Sequence, residues 1–282
     1  MSVGRKVREL RECAAQVAAR QELARGRAGG AFVIGSPRAG TTEVATALAQ
    51  HPELWTSQES RIFFPLIGPD EQGRSLLHQL YLRGSSRAVA PTPYPEFARA
   101  LGCGLDRLLR SRSGGRRWID SSSENLLVAE ELAFLFPAAP FVLVTRDGRA
   151  VVRSAVAAGV VWAKDVKSAA ELWAHWAREG LAFAAGHPDR VLTLTVERLA
   201  GDPENELARL YAFLGEEPSE AAAPHLRRWG LSVDYGCPVP TADGFEMFDV
   251  PVDGAWDDWN AEDRETFEAA AGDAMRGLGY WH

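Results

Sequence analysis

Short apolar runs and stretches of helical periodicity alternate along most of the chain. Three of the runs are rich in β-branched and aromatic residues and too short for helices, so they predict buried strands over Ala31–Gly35, Phe141–Thr145 and Val191–Val196. Arg117–Asp120 predicts a further strand, and residues 55–64 predict a strand with a flanking loop.

Apolar positions at helical spacing fill most of the intervals between these strands. The segments with this spacing are residues 3–25, 41–50, 124–136, 149–157, 168–185, 203–214 and 261–278. Residues 65–115 carry Gly, Pro and Ser clusters around two helical stretches, near 74–82 and 95–110, and we interpret them as a variable insertion outside the sheet. Because strands that alternate with helices form parallel sheets, we predict an α/β protein with a mostly parallel sheet flanked by helices.

Composition fits one globular domain without a membrane span. The chain has 282 residues, of which 46% are hydrophobic and 24% are charged, so it can bury a core. We expect residues 1–282 to form a single domain that begins with a helix within residues 1–30. No apolar run approaches ~18 residues, which argues against a transmembrane helix. The start, MSVGRKVREL, lacks the apolar stretch of a secretory signal, so we expect a cytoplasmic protein.

Charge is distributed unevenly and favours a small anionic ligand over a nucleic acid. The net charge is −7, but residues 1–160 hold 21 basic and 15 acidic side chains, whereas residues 161–282 hold 10 basic and 23 acidic ones. A net negative chain is poorly suited to nucleic acid, whose binding needs many cationic contacts to phosphates. The basic first half suits a small anion, and a solvated surface is the alternative explanation of the same asymmetry.

The turn after the first predicted strand has the layout of a phosphate-binding loop. Ligands of parallel sheets bind at the carboxyl ends of the strands, and there Gly35 and Gly40 flank four residues before Thr41 and Thr42, in the sequence GSPRAGTT. The amides of such a loop and the positive end of the next helix attract phosphate oxygens. Thr41 replaces the usual lysine, and Arg38 offers a guanidinium instead. The alternative is a glycine-rich turn that binds no ligand.

The same eight residues resemble the 5′-phosphosulfate loop of sulfotransferases that use 3′-phosphoadenosine 5′-phosphosulfate (PAPS). The arginine-containing form G-x-P-R-[SA]-G-T-T is typical of bacterial and carbohydrate-type members of that family. The resemblance covers residues 31–64 and 116–279 and implies a P-loop-like sulfotransferase fold, with PAPS as cofactor and 3′-phosphoadenosine 5′-phosphate (PAP) as its product. It also implies that the 5′-phosphosulfate is held by Ser36, Pro37, Arg38, Ala39, Gly40, Thr41 and Thr42.

A second family motif is matched at the end of the strand Phe141–Thr145. The family has an arginine there and a serine eight positions on, which together hold the 3′-phosphate of PAPS, and Arg146 and Ser154 have this spacing. A fixed guanidinium gives charge-assisted hydrogen bonds to a phosphate, and a serine adds a directional donor. The alternative is that Arg146 pairs with Asp147 and that Ser154 is an ordinary helix residue. Glu197 matches the glutamate of the family's Y-E-D-L segment, and we interpret it as structural.

Sulfuryl transfer to a hydroxyl needs a base that accepts the hydroxyl proton. In relatives with the arginine-containing loop this base is a glutamate on the second strand, three residues before a Phe-Phe pair. The resemblance therefore implies Glu59 and Arg38 as the catalytic residues. Glu59 lies four residues before Phe63, so its register departs from the family by one position. An ion-paired surface carboxylate is the alternative for Glu59, and His51 and His78 are rival bases.

These observations predict a PAPS-dependent sulfotransferase that acts on a hydroxyl of a small-molecule, glycan or natural-product acceptor, without a metal and without a nucleic acid partner. Two other functions stay open from the sequence. A magnesium-dependent P-loop kinase would use Asp120 at a strand end, but the loop lacks the lysine that such enzymes use. A non-catalytic nucleotide-binding module would use Glu59 only as a structural residue.

Overall fold

Five short strands form one parallel sheet at the centre of the structure. The computed structural model describes residues 29–71, 73, 75–84, 92–224, 226, 237–241, 244–248 and 259–281. In chain order the strands are β1 (Ala31–Gly35), β2 (Leu54–Thr56), β3 (Arg117–Asp120), β4 (Phe141–Thr145) and β5 (Val191–Thr195). They lie in the order β2-β3-β1-β4-β5, and every neighbouring pair is parallel. The predicted α/β class is therefore confirmed.

Helices fill the connections, because parallel strands need crossover segments between them. They are α1 (Thr41–Leu48), α2 (Phe63–Ile67), α3 (Leu76–Gly84), α4 (Tyr94–Arg112), α5 (Ala129–Leu135), α6 (Gly148–Ala157), α7 (Val166–Gly186), α8 (Val196–Gly201), α9 (Pro203–Leu214) and α10 (Ala261–Gly277), with 3₁₀ turns at Ser123–Val128 and Glu220–Ala222. The helix predicted over residues 3–25 lies outside the described residues. Across the described ranges, no helix combines the length and the apolar character that crossing a membrane requires.

Alternate side chains of β1 point to opposite faces of the sheet and join separate apolar clusters. Ala31 and Val33 pack with α1, α8 and α9, whereas Phe32 and Ile34 pack with α2, α5 and α7. All four are at most 1% exposed. A strand that is covered on both faces has a continuous apolar sequence, which is why its run shows no period of two. A third apolar cluster joins α6, α7 and α10.

The segment 55–64, predicted as a strand with a flanking loop, holds only the end of a short strand. Only Leu54–Thr56 pairs with β3, and α2 begins at Phe63. Gln58 and Arg61 have φ values of 61° and 53°, a left-handed conformation that interrupts the extended run. The Phe63 ring is fully buried and packs edge-on against an aromatic ring of β1, with 5.3 Å between the ring centroids. A helix therefore begins at Phe63, within the segment for which the sequence predicts a strand with a flanking loop.

A two-stranded antiparallel hairpin lies outside the parallel sheet, in a region to which the sequence pattern assigns no element. Its strands are β6 (Cys237–Thr241) and β7 (Gly244–Phe248). Pro238 and Pro240 lack backbone donors and are rare in strands, so the sequence of β6 gives no strand signal.

Gly35 ends β1, and its lack of a side chain lets β1 and β4 meet where the loop begins. A Cβ there would lie 2.4 Å from the carbonyl oxygen of Val144 and 3.1 Å from Cγ2 of Thr41. We expect Gly35→Ala to lower the free energy of unfolding by about 1–3 kcal/mol, because the backbone must move to admit the methyl group. Urea denaturation measures this change. Gly201→Ala is the matched control, since a Cβ at Gly201 meets no atom within 4 Å, and equal stability of the two variants would contradict the prediction.

Candidate active site

The turn between β1 and α1 is shaped by two residues in the left-handed conformation. Arg38 has a φ of 68° and Gly40 a φ of 97°, and the Ala39 amide donates to the Ser36 carbonyl oxygen at 3.1 Å. Gly40 is the N-cap of α1, and no side-chain cap hydrogen bond satisfies the first amides of this helix. These amides and the positive end of the helix dipole make the turn a favourable place for an anion.

The two sequence motifs meet at the carboxyl ends of β1 and β4. Nε of Arg38 donates to Oγ of Ser154 at 3.1 Å, and Nη1 of Arg146 donates to the Arg38 carbonyl oxygen at 3.4 Å. Arg146 and Ser154 are only 3% and 2% exposed. Arg146 directly follows β4, and α6 carries Ser154 back beside the first loop. Residues that are 116 positions apart in the chain therefore form one polar cluster with two guanidinium groups.

Carboxylates fix the loop that follows β4. Asp147 caps α6 by accepting the Arg149 amide at 2.8 Å, and it also accepts Nε of Arg149 at 3.0 Å. Glu197 accepts the Asp147 amide at 2.9 Å and the Tyr280 hydroxyl at 2.8 Å, in agreement with its interpretation as structural. Burial raises the pKa of Glu197, and burial beside Glu197 raises the pKa of Tyr280. Tyr280 lies in no motif, so sequence analysis missed it.

Glu59 lies in the loop after β2, beside the loop that carries Arg38. Its Oε2 accepts Nη2 of Arg61 at 2.6 Å, and its Oε1 accepts a hydrogen bond from Oγ1 of Thr42 at 3.5 Å. The ion pair with Arg61 is exposed, since the two side chains are 29% and 68% accessible, so it contributes little stability and can open easily. Glu59 therefore does form the ion pair with Arg61 that the alternative explanation requires. The same carboxylate also contacts Thr42 in the first turn of α1.

Asp120 anchors the loop that carries Glu59. This carboxylate is fully buried at the end of β3. Its Oδ2 accepts the Ser60 amide at 3.3 Å, and its Oδ1 accepts the Ser122 amide at 3.0 Å and Nδ2 of Asn125 at 2.7 Å. The magnesium role that the sequence offered for Asp120 needs an accessible carboxylate, whereas this one is enclosed and held by three N–H donors. Sequence analysis missed its anchoring role, because the contacts connect distant segments.

A cavity of about 220 Å³ lies between these loops. Seven of the ten predicted site residues line it: Pro37, Arg38, Gly40, Thr41, Thr42, Glu59 and Arg146. The other lining residues are Glu43, Ser123, Val160 and Trp162. Of the other three, Ser154 contacts Arg38, Ala39 is fully buried, and Ser36 lines a smaller cavity that Arg146 also lines. The structure thus brings the residues of both motifs and Glu59 together around one cavity.

The rival bases do not line this cavity. His51 is 4% exposed, and its Nδ1 accepts the Glu53 amide at 3.1 Å while its Nε2 lies 3.0 Å from the carbonyl oxygen of Glu217. A neutral ring with its proton on Nε2 satisfies both contacts, so the ring is used structurally. His78 packs against Tyr94, with 5.0 Å between the ring centroids, where α3 meets α4.

Comparison with known proteins relates most of the described chain to one family. Residues 31–220, about two thirds of the chain, match the sequence profile described as the sulfotransferase family. A protein-tyrosine sulfotransferase of Drosophila melanogaster is 24% identical over 205 residues, which are 69% of this chain and 39% of the relative. Protein-tyrosine sulfotransferase 1 of Danio rerio is 26% identical over 201 residues, which are 69% of this chain and 55% of the relative. The chain therefore spans about two fifths and just over half the length of these two relatives.

Solved structures support the fold. The sulfotransferase domain of the olefin synthase from Synechococcus PCC 7002 is similar with a TM-score of 0.50 and 23% identity, over 69% of this chain and 75% of that one. A mouse sulfotransferase, solved in complex with PAP, has a TM-score of 0.50 and 12% identity, over 89% of this chain and 85% of that one. At these identities the likeness concerns the arrangement of strands and helices.

We expect Asp120→Asn to destabilise the protein by about 1–3 kcal/mol, because an amide at this buried position turns an N–H group toward a backbone donor. Thermal or urea unfolding measures the change. Asp202→Asn is the matched control: Asp202 is the N-cap of α9 and accepts the Asn205 amide, a position where asparagine serves as well as aspartate. A loss of stability as large in the control as in Asp120→Asn would refute the anchoring role.

Proposed function

The chain belongs to the sulfotransferase family, and from this premise we propose that it transfers a sulfuryl group from PAPS to the hydroxyl of a small-molecule or glycan acceptor. One observation carries the proposal. Two guanidinium groups from separate strand ends, Arg38 and Arg146, and the carboxylate of Glu59 border the same cavity. A cavity that is bordered by two cations and a carboxylate suits transfer between an anionic donor and a neutral hydroxyl.

The donor set fits a ligand with two phosphate-containing ends. Arg38 and the amides of the turn before α1 would hold the 5′-phosphosulfate, whereas Arg146 and Ser154 would hold the 3′-phosphate. The mouse relative crystallised with PAP supports this choice of ligand, and so does the resemblance of both motifs to the PAPS-binding motifs of the family. When bound, PAPS supplies the sulfuryl group and leaves as PAP.

Glu59 would act as the base that accepts the proton of the acceptor hydroxyl while the new oxygen–sulfur bond forms. Its Oε1 is the oxygen nearest the first loop, because Thr42 donates to it, and Arg61 holds its Oε2. Arg38 would stabilise the negative charge that builds on the departing phosphate oxygen. Each of these groups has hydrogen bonds within the protein, which supports roles that need no large rearrangement.

A phenolic hydroxyl is the first acceptor to test within this class. Two relatives are named protein-tyrosine sulfotransferases. In addition, Trp162 and Val160 line the cavity that Glu59 borders, and an aromatic side chain in such a cavity suits a flat ring. Simple phenols, tyrosyl peptides and sugars together form the panel for the activity measurements below.

We expect the pure protein to bind PAP in calorimetric titration without added metal, and Arg146→Ala to weaken this binding by about 10- to 100-fold, the effect of one lost charge-assisted contact. Arg112→Ala is the control, because Arg112 is exposed at the end of α4. The same protein is also titrated with ATP and magnesium. Binding of magnesium-ATP without binding of PAP would reject the proposal in favour of a kinase.

We expect Glu59→Gln to lower turnover by about 10²- to 10⁴-fold, because the amide cannot accept the hydroxyl proton, while PAP affinity stays within about twofold of the wild type. Release of PAP from PAPS, with an acceptor of the panel that the wild type sulfates, measures turnover. Glu53→Gln is the control, because Glu53 is exposed and does not line the cavity. Full turnover in Glu59→Gln would exclude this residue as the base.

A further inference from the structure

The last residues of the described chain reach the loop that carries Arg146. The Tyr280 hydroxyl donates to Oε2 of Glu197 at 2.8 Å, and Oε1 of the same carboxylate accepts the amide of Asp147 at 2.9 Å. Asp147 is the residue directly after Arg146. One carboxylate therefore connects the end of the chain to the backbone on which the Arg146 guanidinium depends.

Tyr280 is fixed in this place by α10 and by the turn that follows it. Its amide donates to the Met275 carbonyl oxygen at 2.9 Å, and Gly279 has a φ of 79°, which directs the chain back toward the sheet. The Tyr280 hydroxyl therefore contacts Glu197 near the start of α8, and Glu197 in turn contacts the loop after β4.

The segment after α10 also packs near the loop that carries Arg146. Leu278 lines a small cavity together with Ser36 and Arg146, so the segment after α10 approaches both loops. Trp173 of α7 also lines this cavity and stacks on Phe267 of α10, with 6.3 Å between the ring centroids. A chain segment far from both motifs in sequence therefore packs close to residues of both loops.

We propose that Tyr280 is a positioning residue for the 3′-phosphate site: it holds Glu197, which holds the Asp147 amide and so sets the direction in which Arg146 leaves β4. The inference rests on the proposed function, because it takes Arg146 as the contact to the 3′-phosphate. Tyr280 itself touches no ligand in this scheme. Its effect should therefore be selective for ligands that carry a 3′-phosphate.

The test compares PAP with adenosine 5′-phosphate, which differs from PAP only by the absence of the 3′-phosphate. In calorimetric titration, Tyr280→Phe should weaken PAP binding by about three- to tenfold, since one hydrogen bond that acts indirectly is lost, and should leave the affinity for adenosine 5′-phosphate unchanged. Tyr81→Phe is the matched control, because its hydroxyl also donates one hydrogen bond, to the Thr92 carbonyl oxygen. This control should keep both affinities.

The outcomes separate the inference from the function on which it rests. A wild type that binds PAP no better than adenosine 5′-phosphate would reject the proposed 3′-phosphate site. A wild type that prefers PAP, with the same preference in Tyr280→Phe, would overturn the inference alone, and so would an equal loss for both ligands, since a purely structural role weakens both. If Tyr280→Phe does not fold, Glu197→Gln takes its place, because an amide offers one acceptor atom for two donors, and the same selective loss is expected.

Discussion

Gly35 and Val144 are register partners in neighbouring parallel strands, and the two loops that carry the motif residues leave the sheet beside this pair. Parallel strands end at the same edge of the sheet, ~4.8 Å from each other. The loop that carries Arg38 and the loop that carries Arg146 therefore start side by side, although they are far apart in sequence. The bond between Arg38 and Ser154 and the cavity between the loops follow from this one pairing.

Local features of the site could be predicted from the sequence, because a loop between a strand and a helix is encoded by neighbouring residues. The buried runs of β1 and β4, the glycines of the first loop and the Arg146–Ser154 spacing are of this kind. The contacts of Asp120 and Tyr280 are not, since they join residues 60 and 83 positions apart and leave no periodic signal. The structure adds these supports, which hold predicted residues in place.

The departure of Glu59 from the family register has a physical explanation. Counting residues from Glu59 to the Phe-Phe pair assumes an extended strand, in which side chains alternate. Here β2 ends at Thr56, and two left-handed residues turn the chain before α2 begins. Hydrogen bonds from the Ser60 and Arg61 amides to the side chains of Asp120 and Ser122 set the position of the loop that carries Glu59. The number of residues between Glu59 and Phe63 therefore does not determine where the Glu59 carboxylate lies.

The left-handed backbone of Arg38 has an entropic consequence. A residue with a Cβ adopts this conformation at a cost of about 1–2 kcal/mol, and the Arg38 side chain is held on Ser154. Folding, rather than ligand capture, therefore bears the loss of freedom of this long side chain, on the order of 2 kcal/mol. On the proposed function, a loop preorganised in this way would bind by rigid complementarity and would tolerate little variation in the shape of the group placed against it.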